Sequence, residues 1–173
     1  MNFPDLEEIV GLASADYEQE FLRAEFAPGL AYYLERIDRL MFAGDRVLDA
    51  GCGAGQWAMA LAQRFRRVDA VDLKLERLAV LNAVAERMGV QNVSARPGTL
   101  EQLDYPDSAF DAVFSYNVLM LVAVEPVLRE LLRVLRPGGR MYACINADGW
   151  SRYLAEEKGK ASAHVRRAGL STL

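Results

Sequence analysis

Three glycines recur at every second position after a short apolar run, in the segment Val47-Leu-Asp-Ala-Gly-Cys-Gly-Ala-Gly55. Glycine adopts positive φ without strain and has no side chain, so a ligand can approach the main chain closely. The apolar run predicts a buried strand, and Gln56 begins a predicted helix whose first N–H groups have no partner within the helix. A glycine-rich turn between a strand and a helix is typical of a loop that binds a nucleotide-containing cofactor.

The spacing of these glycines narrows the class of cofactor. Dinucleotide-binding loops have the pattern G-x-G-x-x-G, whereas this loop has the pattern G-x-G-x-G, with Asp49 two residues before the first glycine. A phosphate-binding P-loop ends in Gly-Lys-Ser/Thr, and Gly55 is followed here by Gln56 and Trp57. The loop therefore fits neither a dinucleotide nor a nucleoside triphosphate well.

Asp72 ends the second predicted strand, Val68–Asp72, and is therefore expected beside the glycine loop at the same edge of a parallel sheet. A carboxylate at this position can accept two hydrogen bonds from a ribose diol. The same side chain could instead cap the helix that begins near Leu75. Asp69 lies in the same strand, and alternation predicts that it points away from the side of its apolar neighbours, as a solvated side chain.

The segment from Val47 to Gly55 resembles the first motif of class I S-adenosylmethionine-dependent methyltransferases, V-L-D-x-G-C-G-x-G, and the similarity covers about residues 30–146. The resemblance implies that the glycine loop lies against the methionine and ribose portions of S-adenosyl-L-methionine, which carries no phosphate. It also implies that Asp72 binds the ribose and that S-adenosyl-L-homocysteine is the by-product. The residues that we expect to bind the cofactor are Asp49, Gly51, Cys52, Gly53, Gly55, Asp72, Leu73, Thr99, Leu100 and Tyr116.

Two further loops resemble other elements of this family. The segment 96–103 is similar to the adenine-binding loop, but Thr99 stands where the family usually has an acidic residue. Either the Thr99 hydroxyl or the main chain of Leu100 would then contact the adenine, and Thr99 can also be a simple turn residue. Tyr116 and Asn117 follow the fourth predicted strand, where the family faces the methyl group. They are our candidates for orienting the acceptor, and the alternative is that they pack and cap the end of the strand.

Strands and helices alternate along the chain. Strand patterns occur at 45–50, 68–72, 92–95, 110–116 and 140–145, and helical patterns at 56–65, 75–88 and 126–135. In the second of these helices Leu75, Leu78 and Leu81 are among the residues predicted to face inward. The alternation predicts an α/β fold, a three-layer doubly wound structure with a mainly parallel sheet and helices on both faces. Right-handed crossovers then place the loops after each strand along one edge of the sheet, where ligands bind.

We expect one domain with three segments. Residues 1–43 form N-terminal helices that act as a lid, residues 44–146 form the cofactor-binding core, and residues 147–173 form a polar segment. The resembled fold has two further C-terminal strands, for which the remaining residues are too few at ordinary element lengths. We therefore expect these strands to be missing or reduced, by truncation or because a partner supplies them. An uncovered sheet edge favours pairing between chains, so a homodimer is a further expectation.

The composition is that of one soluble globular domain. The 173 residues are 52% hydrophobic and 25% charged, and the net charge of −4 gives no support for a nucleic-acid or anionic-membrane partner. Cys52 and Cys144 are too few for a disulfide framework and have no metal-binding spacing, so we expect reduced thiols and no metal. With no signal-peptide pattern and no apolar run long enough to span a bilayer, we expect a cytoplasmic protein.

The expected activity is methyl transfer from S-adenosylmethionine to the oxygen or nitrogen of a small-molecule acceptor, by an in-line displacement that depends mainly on alignment. A general base is needed only if the acceptor loses a proton, and the sequence contains no obvious one. His164 is the sole histidine and is expected at the surface. Two alternatives stay open: a non-catalytic binding or partner domain, and a nicotinamide-dependent oxidoreductase that would share only the fold class.

Overall fold

Five parallel strands form the single sheet of the described chain. The computed structural model describes residues 1–145, and the strand order is β3-β2-β1-β4-β5. The order reverses between β1 and β4, which leaves a crevice at the carboxyl ends of these two strands. The predicted parallel α/β sheet is thereby confirmed. The strands are β1 (Arg46–Ala50), β2 (Arg67–Asp72), β3 (Val93–Pro97), β4 (Phe110–Tyr116) and β5 (Leu135–Cys144).

Helices cover both faces of this sheet, as predicted. Successive side chains of a strand point to opposite faces of the sheet, so the core has two layers. Val47 and Phe114 pack in one layer, with the helices that precede β1 and those between β1 and β3. Leu48 and Val113 pack in the other layer, against the helix before β5. The helices are α1 (Leu6–Val10), α2 (Asp16–Phe26), α3 (Leu30–Arg39), α4 (Gln56–Leu61), α5 (Leu75–Met88) and α6 (Val124–Val134), with a 3-10 turn at Leu119–Leu121.

Several predicted details are wrong. Helix α4 ends at Leu61 instead of continuing to Phe65, and β5 begins at Leu135, immediately after α6. The long strand is accommodated by a register shift in its pairing with β4, because its Pro-Gly-Gly segment interrupts the ladder. Leu75, predicted to face inward, is 63% exposed because it occupies the first residue of α5, before the helix reaches the sheet. The predicted polar segment 147–173, with His164, lies outside the described residues.

Asp69 corrects another expectation, since its side chain is fully buried and not solvated. The parallel register sets Arg46 opposite Arg67, and both guanidinium groups donate to Asp69, at 2.9 and 3.0 Å. Burial alone would raise the pKa of this carboxyl, but the two guanidinium groups outweigh it and hold the pKa below its usual value. Asp69 is therefore a buried ion-pair centre between two strands.

A second carboxylate fixes the amino ends of the central strands. Oδ2 of Asp111, in β4, accepts hydrogen bonds from the main-chain N–H groups of Asp45 (2.6 Å) and Arg46 (2.8 Å), and Arg136 pairs with the same carboxylate. Gly44 must lack a side chain here, because a Cβ would lie 2.2 Å from the Asp111 Cβ. Polar contacts thus fix the edge of the sheet opposite the crevice.

Candidate cofactor and acceptor site

A cavity of about 320 Å³ lies at the carboxyl edge, where the strand order reverses. The cavity brings together most residues that the sequence singled out: Asp49, Gly51, Cys52, Gly53, Asp72, Leu73, Leu100, Tyr116 and Asn117 line it. Gly55 and Thr99 are not among its lining residues. Helix α2 adds Phe21 and Glu25 to the wall, so the N-terminal helices close one side of the cavity.

The glycine loop follows β1 as a tight turn held by β2. The main-chain N–H groups of Gly51 and Cys52 both donate to the carbonyl of Val71, at 2.8 and 3.0 Å. Gly51 has a φ of 80°, and a Cβ there would lie 2.2 Å from Val118. Gly53 differs, because its φ of 54° is also left-handed but a Cβ would meet nothing nearer than the Phe21 ring, at 3.8 Å. Gly53 therefore offers bare main chain to the cavity.

Gly55 has a structural role in the packing of this loop. It precedes α4 with a φ of 90°, and a Cβ would lie 2.4 Å from Leu81 of α5. The side of Gly55 on which a side chain would stand therefore faces the core. The contact of Gly55 with a cofactor stays a prediction, whereas its packing against α5 explains the glycine without one.

Asp72 joins the glycine loop to the end of β2. Its Oδ2 accepts a 2.9 Å hydrogen bond from the N–H of Gly53, and its Oδ1 accepts one of the same length from the N–H of Lys74. Helix capping and ligand binding are therefore compatible roles for Asp72, since its carboxylate binds the main chain at the start of the next helix and also lines the cavity. Each oxygen has a second lone pair that can accept from a ligand hydroxyl.

Asp49 is the most unusual ionisable group of the site. It is 2% exposed, and Oδ2 has no hydrogen-bond partner among the described residues. Burial, with a smaller contribution from the negative charge of Asp72, raises the pKa of Asp49 to about 8. A buried carboxyl without a partner is costly, and a cationic or hydrogen-bond-donating ligand in the cavity would supply the missing partner.

Thr99 does not line this cavity. Its hydroxyl donates a 2.6 Å hydrogen bond to Glu101, and the residue lines a separate recess of about 120 Å³. Leu100 is buried and lines the main cavity, so of the two residues considered for the adenine contact, Leu100 is the one that lies at the cavity. The role of Thr99 in cofactor binding stays a prediction.

The loop that carries Leu100 is held by one arginine of α6. The Arg133 guanidinium donates to the carbonyls of Leu103 (3.0 Å) and Tyr105 (2.8 Å) and to the carboxylates of Asp107 and Glu130, both at 2.8 Å. Glu130 in turn accepts from the N–H of Leu103, and these contacts lower its pKa to about 2. Helix α6 therefore sets the position of this side of the cavity.

Tyr116 is the last residue of β4, Asn117 follows it, and both line the cavity. Tyr116 packs against Trp57 of α4 with ring centroids 4.8 Å apart, and burial raises the pKa of its hydroxyl. Asn117 adopts a left-handed φ of 58°, a conformation that asparagine tolerates better than most residues. Its N–H donates to the carbonyl of Cys144, while its Oδ1 is buried without a partner among the described residues.

Sequence reasoning missed the groups that α2 and α4 contribute. Gln56 donates a 2.5 Å hydrogen bond from Nε2 to the Glu25 carboxylate, and its own Oε1 is buried and unpartnered within residues 1–145. Burial raises the pKa of Glu25, against the opposing effects of Gln56 and Arg77. The available signal was weak: Phe21 and Glu25 are four residues apart, and so share one face of α2.

The described residues offer neither a metal-binding cluster nor a reactive thiol at this site. Within residues 1–145 no group of three or more His, Cys, Asp and Glu side chains could hold a metal ion. None of the helices in that range is long and apolar enough to cross a membrane. Cys52 lines the cavity, but burial raises the pKa of its thiol well above the ordinary value, so the reactive thiolate is disfavoured.

A parallel sheet that carries a G-x-G-x-G loop and two carboxylates at its switch point, without a phosphate-binding lysine in the loop, defines a class I methyltransferase core. Residues 47–139 match a family model described as a methyltransferase domain, and the chain belongs to this family. Class I methyltransferases use S-adenosylmethionine, which agrees with the cofactor predicted from the glycine loop.

Individual relatives agree with this assignment. The uncharacterized methyltransferase YcgJ of Bacillus subtilis is 37% identical over 99 residues, which are 57% of this chain and 39% of that protein. The arsenite methyltransferase of Aquipseudomonas alcaligenes is 41% identical over 126 residues, which are 66% of this chain and 36% of that protein. This chain therefore spans less than two fifths of the length of either curated relative.

A solved complex extends the comparison to three dimensions. The geranyl diphosphate C-methyltransferase of Streptomyces coelicolor, in complex with Mg²⁺, geranyl diphosphate and S-adenosyl-L-homocysteine, superposes with a TM-score of 0.60 at 27% identity. The superposition covers 65% of this chain and 43% of that one. The likeness therefore concerns the core that surrounds the cavity, and it leaves the acceptor of this chain open.

Proposed function

We propose that this chain transfers the methyl group of S-adenosylmethionine to an oxygen or nitrogen of a small-molecule acceptor. The observation that carries the proposal is the unpartnered Asp49 carboxyl, buried beside the glycine loop in a cavity that could hold a cationic cofactor. The bare main chain at Gly53 and the free lone pairs of Asp72 support it. An ammonium group of the ligand would pair with the Asp49 carboxyl, and a ribose diol would donate to Asp72.

The residues present fit this cofactor. Asp49 would pair with the ammonium group of its amino acid portion, Asp72 would accept from the ribose hydroxyls, and Leu73 and Leu100 would contact the adenine with apolar surface. The bound cofactor would supply a methyl carbon activated by its attachment to a sulfonium. Lys74 and Arg77 are already paired with Glu18, which agrees with a ligand that carries no phosphate.

The chain's own contribution would be alignment in an enclosed site. The glycine loop and Asp72 are fixed by main-chain hydrogen bonds, so the ligand groups they bind would be held in one place. Tyr116 and Asn117 would contact the acceptor from the end of β4. Restricting donor and acceptor to near-attack distance can supply much of the rate acceleration of a displacement, and Phe21 and Glu25 of α2 would limit the access of water.

Isothermal titration of the folded chain with S-adenosylmethionine and S-adenosylhomocysteine tests the proposal. We expect both to bind at one site per chain, and NAD⁺ to show no binding under the same conditions. Absence of binding to protein with native circular dichroism would overturn the proposal. Binding of the cofactor without transfer to any member of a broad panel of hydroxyl, amine and thiol acceptors would favour the non-catalytic binding domain instead.

A further inference from the structure

Helix α2 brings a carboxylate to the wall of the cavity that the glycine loop leaves open. Glu25 lines the cavity from α2, whereas Asp49 and Asp72 line it from the ends of β1 and β2. Gln56 orients the Glu25 carboxylate through a 2.5 Å hydrogen bond, and the Tyr33 hydroxyl donates to the Glu25 carbonyl. The position of this acidic group is therefore fixed from two neighbouring helices.

Two residues of the cavity wall, Gln56 and Trp57, have buried polar atoms without a partner in the described part of the chain. Oε1 of Gln56, a residue only 5% exposed, and Nε1 of Trp57, also 5% exposed, are buried without a partner among the described residues, and both residues line the cavity. The first is an acceptor and the second is a donor. A hydroxyl is the simplest group that can both donate to carboxylate or amide oxygens and accept from an indole N–H.

The charges around the cavity disfavour an anionic acceptor. Glu25, Asp72 and Glu101 contribute carboxylates, and the cations of the wall, Lys74 and Arg77, are each bound to Glu18 at 3.1–3.2 Å. An added phosphate or carboxylate would therefore face like charges across an enclosed space, which disfavours its binding. The remaining wall is mostly apolar, and it includes Trp57 and Tyr116, which pack together.

We infer that Glu25 accepts the proton of an uncharged, largely apolar acceptor that presents a hydroxyl group to the site. This inference rests on the proposed function and specifies its substrate class. In the transfer, the bond between the acceptor oxygen and the methyl carbon forms while the sulfur–methyl bond breaks and its electron pair stays on sulfur. The hydroxyl proton moves to Glu25. The sulfonium cation and the Glu25 carboxylate therefore both become neutral in the same step.

Burial favours this role for Glu25. It raises the pKa of the carboxyl, against the effects of the Gln56 hydrogen bond and of Arg77, and so strengthens Glu25 as a proton acceptor. The charged and titratable groups that face it are Arg77 from α5, Tyr33 from α3 and Tyr116 from β4. Neither tyrosine is a competing base, because burial raises the pKa of both hydroxyls and keeps them protonated.

Three probes that share one aromatic body test the substrate class. We would measure binding of 2-naphthol, 2-methoxynaphthalene and 2-naphthyl phosphate to the complex with S-adenosylhomocysteine, by fluorescence and equilibrium dialysis. We expect 2-naphthol to bind about tenfold or more tighter than the phosphate, the scale of an uncompensated like-charge contact, and tighter than the methyl ether. Tighter binding of the phosphate, or no advantage of the naphthol, would overturn the inference.

Glu25→Gln tests the role of the carboxylate, because glutamine keeps the size of the side chain and can still accept from Gln56. We expect its preference for 2-naphthol over the phosphate to fall about tenfold. With S-adenosylmethionine as donor, we expect kcat for formation of 2-methoxynaphthalene to fall about a hundredfold or more, while the KM for the cofactor stays within about twofold. The matched control is Glu20→Gln, an exposed carboxyl on the same helix, which should behave as the wild type.

The outcomes separate the two proposals. If neither wild type nor Glu25→Gln binds S-adenosylhomocysteine, the proposed function fails. Two other outcomes would overturn only the inference about Glu25 and its hydroxyl acceptor, provided that both proteins bind S-adenosylhomocysteine normally. One is that Glu25→Gln keeps the wild-type probe preference and kcat. The other is that the wild type transfers no methyl group to 2-naphthol.

Discussion

The main-chain N–H of Gly53 donates to Oδ2 of Asp72 across 2.9 Å, so the carboxylate proposed to bind ribose also holds the open glycine of the loop. The two residues belong to neighbouring strand ends, and their contact makes the floor of the cavity a single hydrogen-bonded unit. A change at Asp72 is therefore expected to affect the ligand and the loop together.

Asp72→Asn should weaken binding of S-adenosylhomocysteine by about 1–3 kcal/mol, the scale of a lost charge-assisted hydrogen bond. Asparagine keeps the size of the side chain but only one oxygen, so it can accept from one of the two main-chain N–H groups, and part of the loss comes from the loop. Titration calorimetry measures the change. Asp104→Asn, at an exposed position of the neighbouring loop, is the matched control. Equal affinity of Asp72→Asn and wild type would remove Asp72 from the site.

Two glycines of the loop should respond differently to the same substitution. Both have left-handed φ, which costs alanine about 1–2 kcal/mol, but only at Gly51 would the new Cβ meet a neighbour, Val118, at 2.2 Å. Gly51→Ala should therefore lower the free energy of unfolding by about 1–3 kcal/mol more than Gly53→Ala, as measured by urea denaturation. Adding Val118→Ala should recover part of the loss at Gly51. Equal losses at the two glycines would contradict the contact.

The buried Asp49 should make stability depend on pH. Its folded-state pKa of about 8 lies above the unfolded value, so the folded state binds the extra proton between these two values. The stabilisation is complete below the unfolded pKa and is lost as pH rises through about 8, with a slope near 1.4 kcal/mol per pH unit. Asp49→Asn should lack this contribution, so its free energy of unfolding, relative to wild type, should rise between about pH 5 and 8. A constant difference would show that Asp49 titrates normally.

The same group should release a proton when the cofactor binds. At pH 7 the Asp49 carboxyl of the free protein is mostly protonated, and a nearby ammonium group would favour its ionised form. Calorimetry in buffers of different ionisation enthalpy should detect proton release in wild type and less of it in Asp49→Asn. The cofactor's own amino group titrates in both variants, so the difference isolates Asp49. Identical proton release would place the ammonium elsewhere.

Arg133→Ala should destabilise the fold by about 2–3 kcal/mol, because it leaves the buried-side carbonyls of Leu103 and Tyr105 and the carboxylate of Glu130 without their shared donor. The matched control is Arg129→Ala, whose exposed pair with Glu125 one turn away should be worth no more than about 0.5 kcal/mol. Thermal or urea unfolding compares the two. Similar losses for both arginines would mean that the loop is held mainly by its apolar contacts.

The sequence predicted those parts of the site in which residue type and local pattern are sufficient. The glycine loop and Asp72 follow directly from short strands and from the rule that parallel strands end at one edge. Glu25 could not be found this way, because its partner Gln56 belongs to a distant segment and a glutamate on an amphipathic helix is ordinarily solvated. The prediction that Asp69 is solvated was wrong for a similar reason, since its burial depends on Arg46 of the neighbouring strand.

The N-terminal helices lie outside the segment 47–139 that the family shares, yet they supply Phe21 and Glu25 to the cavity. They are bound to the core by side-chain pairs, including Glu18 with Arg77 and Glu25 with Gln56, and by apolar residues such as Leu22 and Tyr33 that are buried in the same cluster as Val47. A substitution at Phe21 or Glu25 would therefore change one wall of the cavity while the hydrogen bonds between the glycine loop and β2 stay intact. Acceptor preference would then change through single side chains of α2, and relatives with one common core could diverge in substrate without rebuilding it.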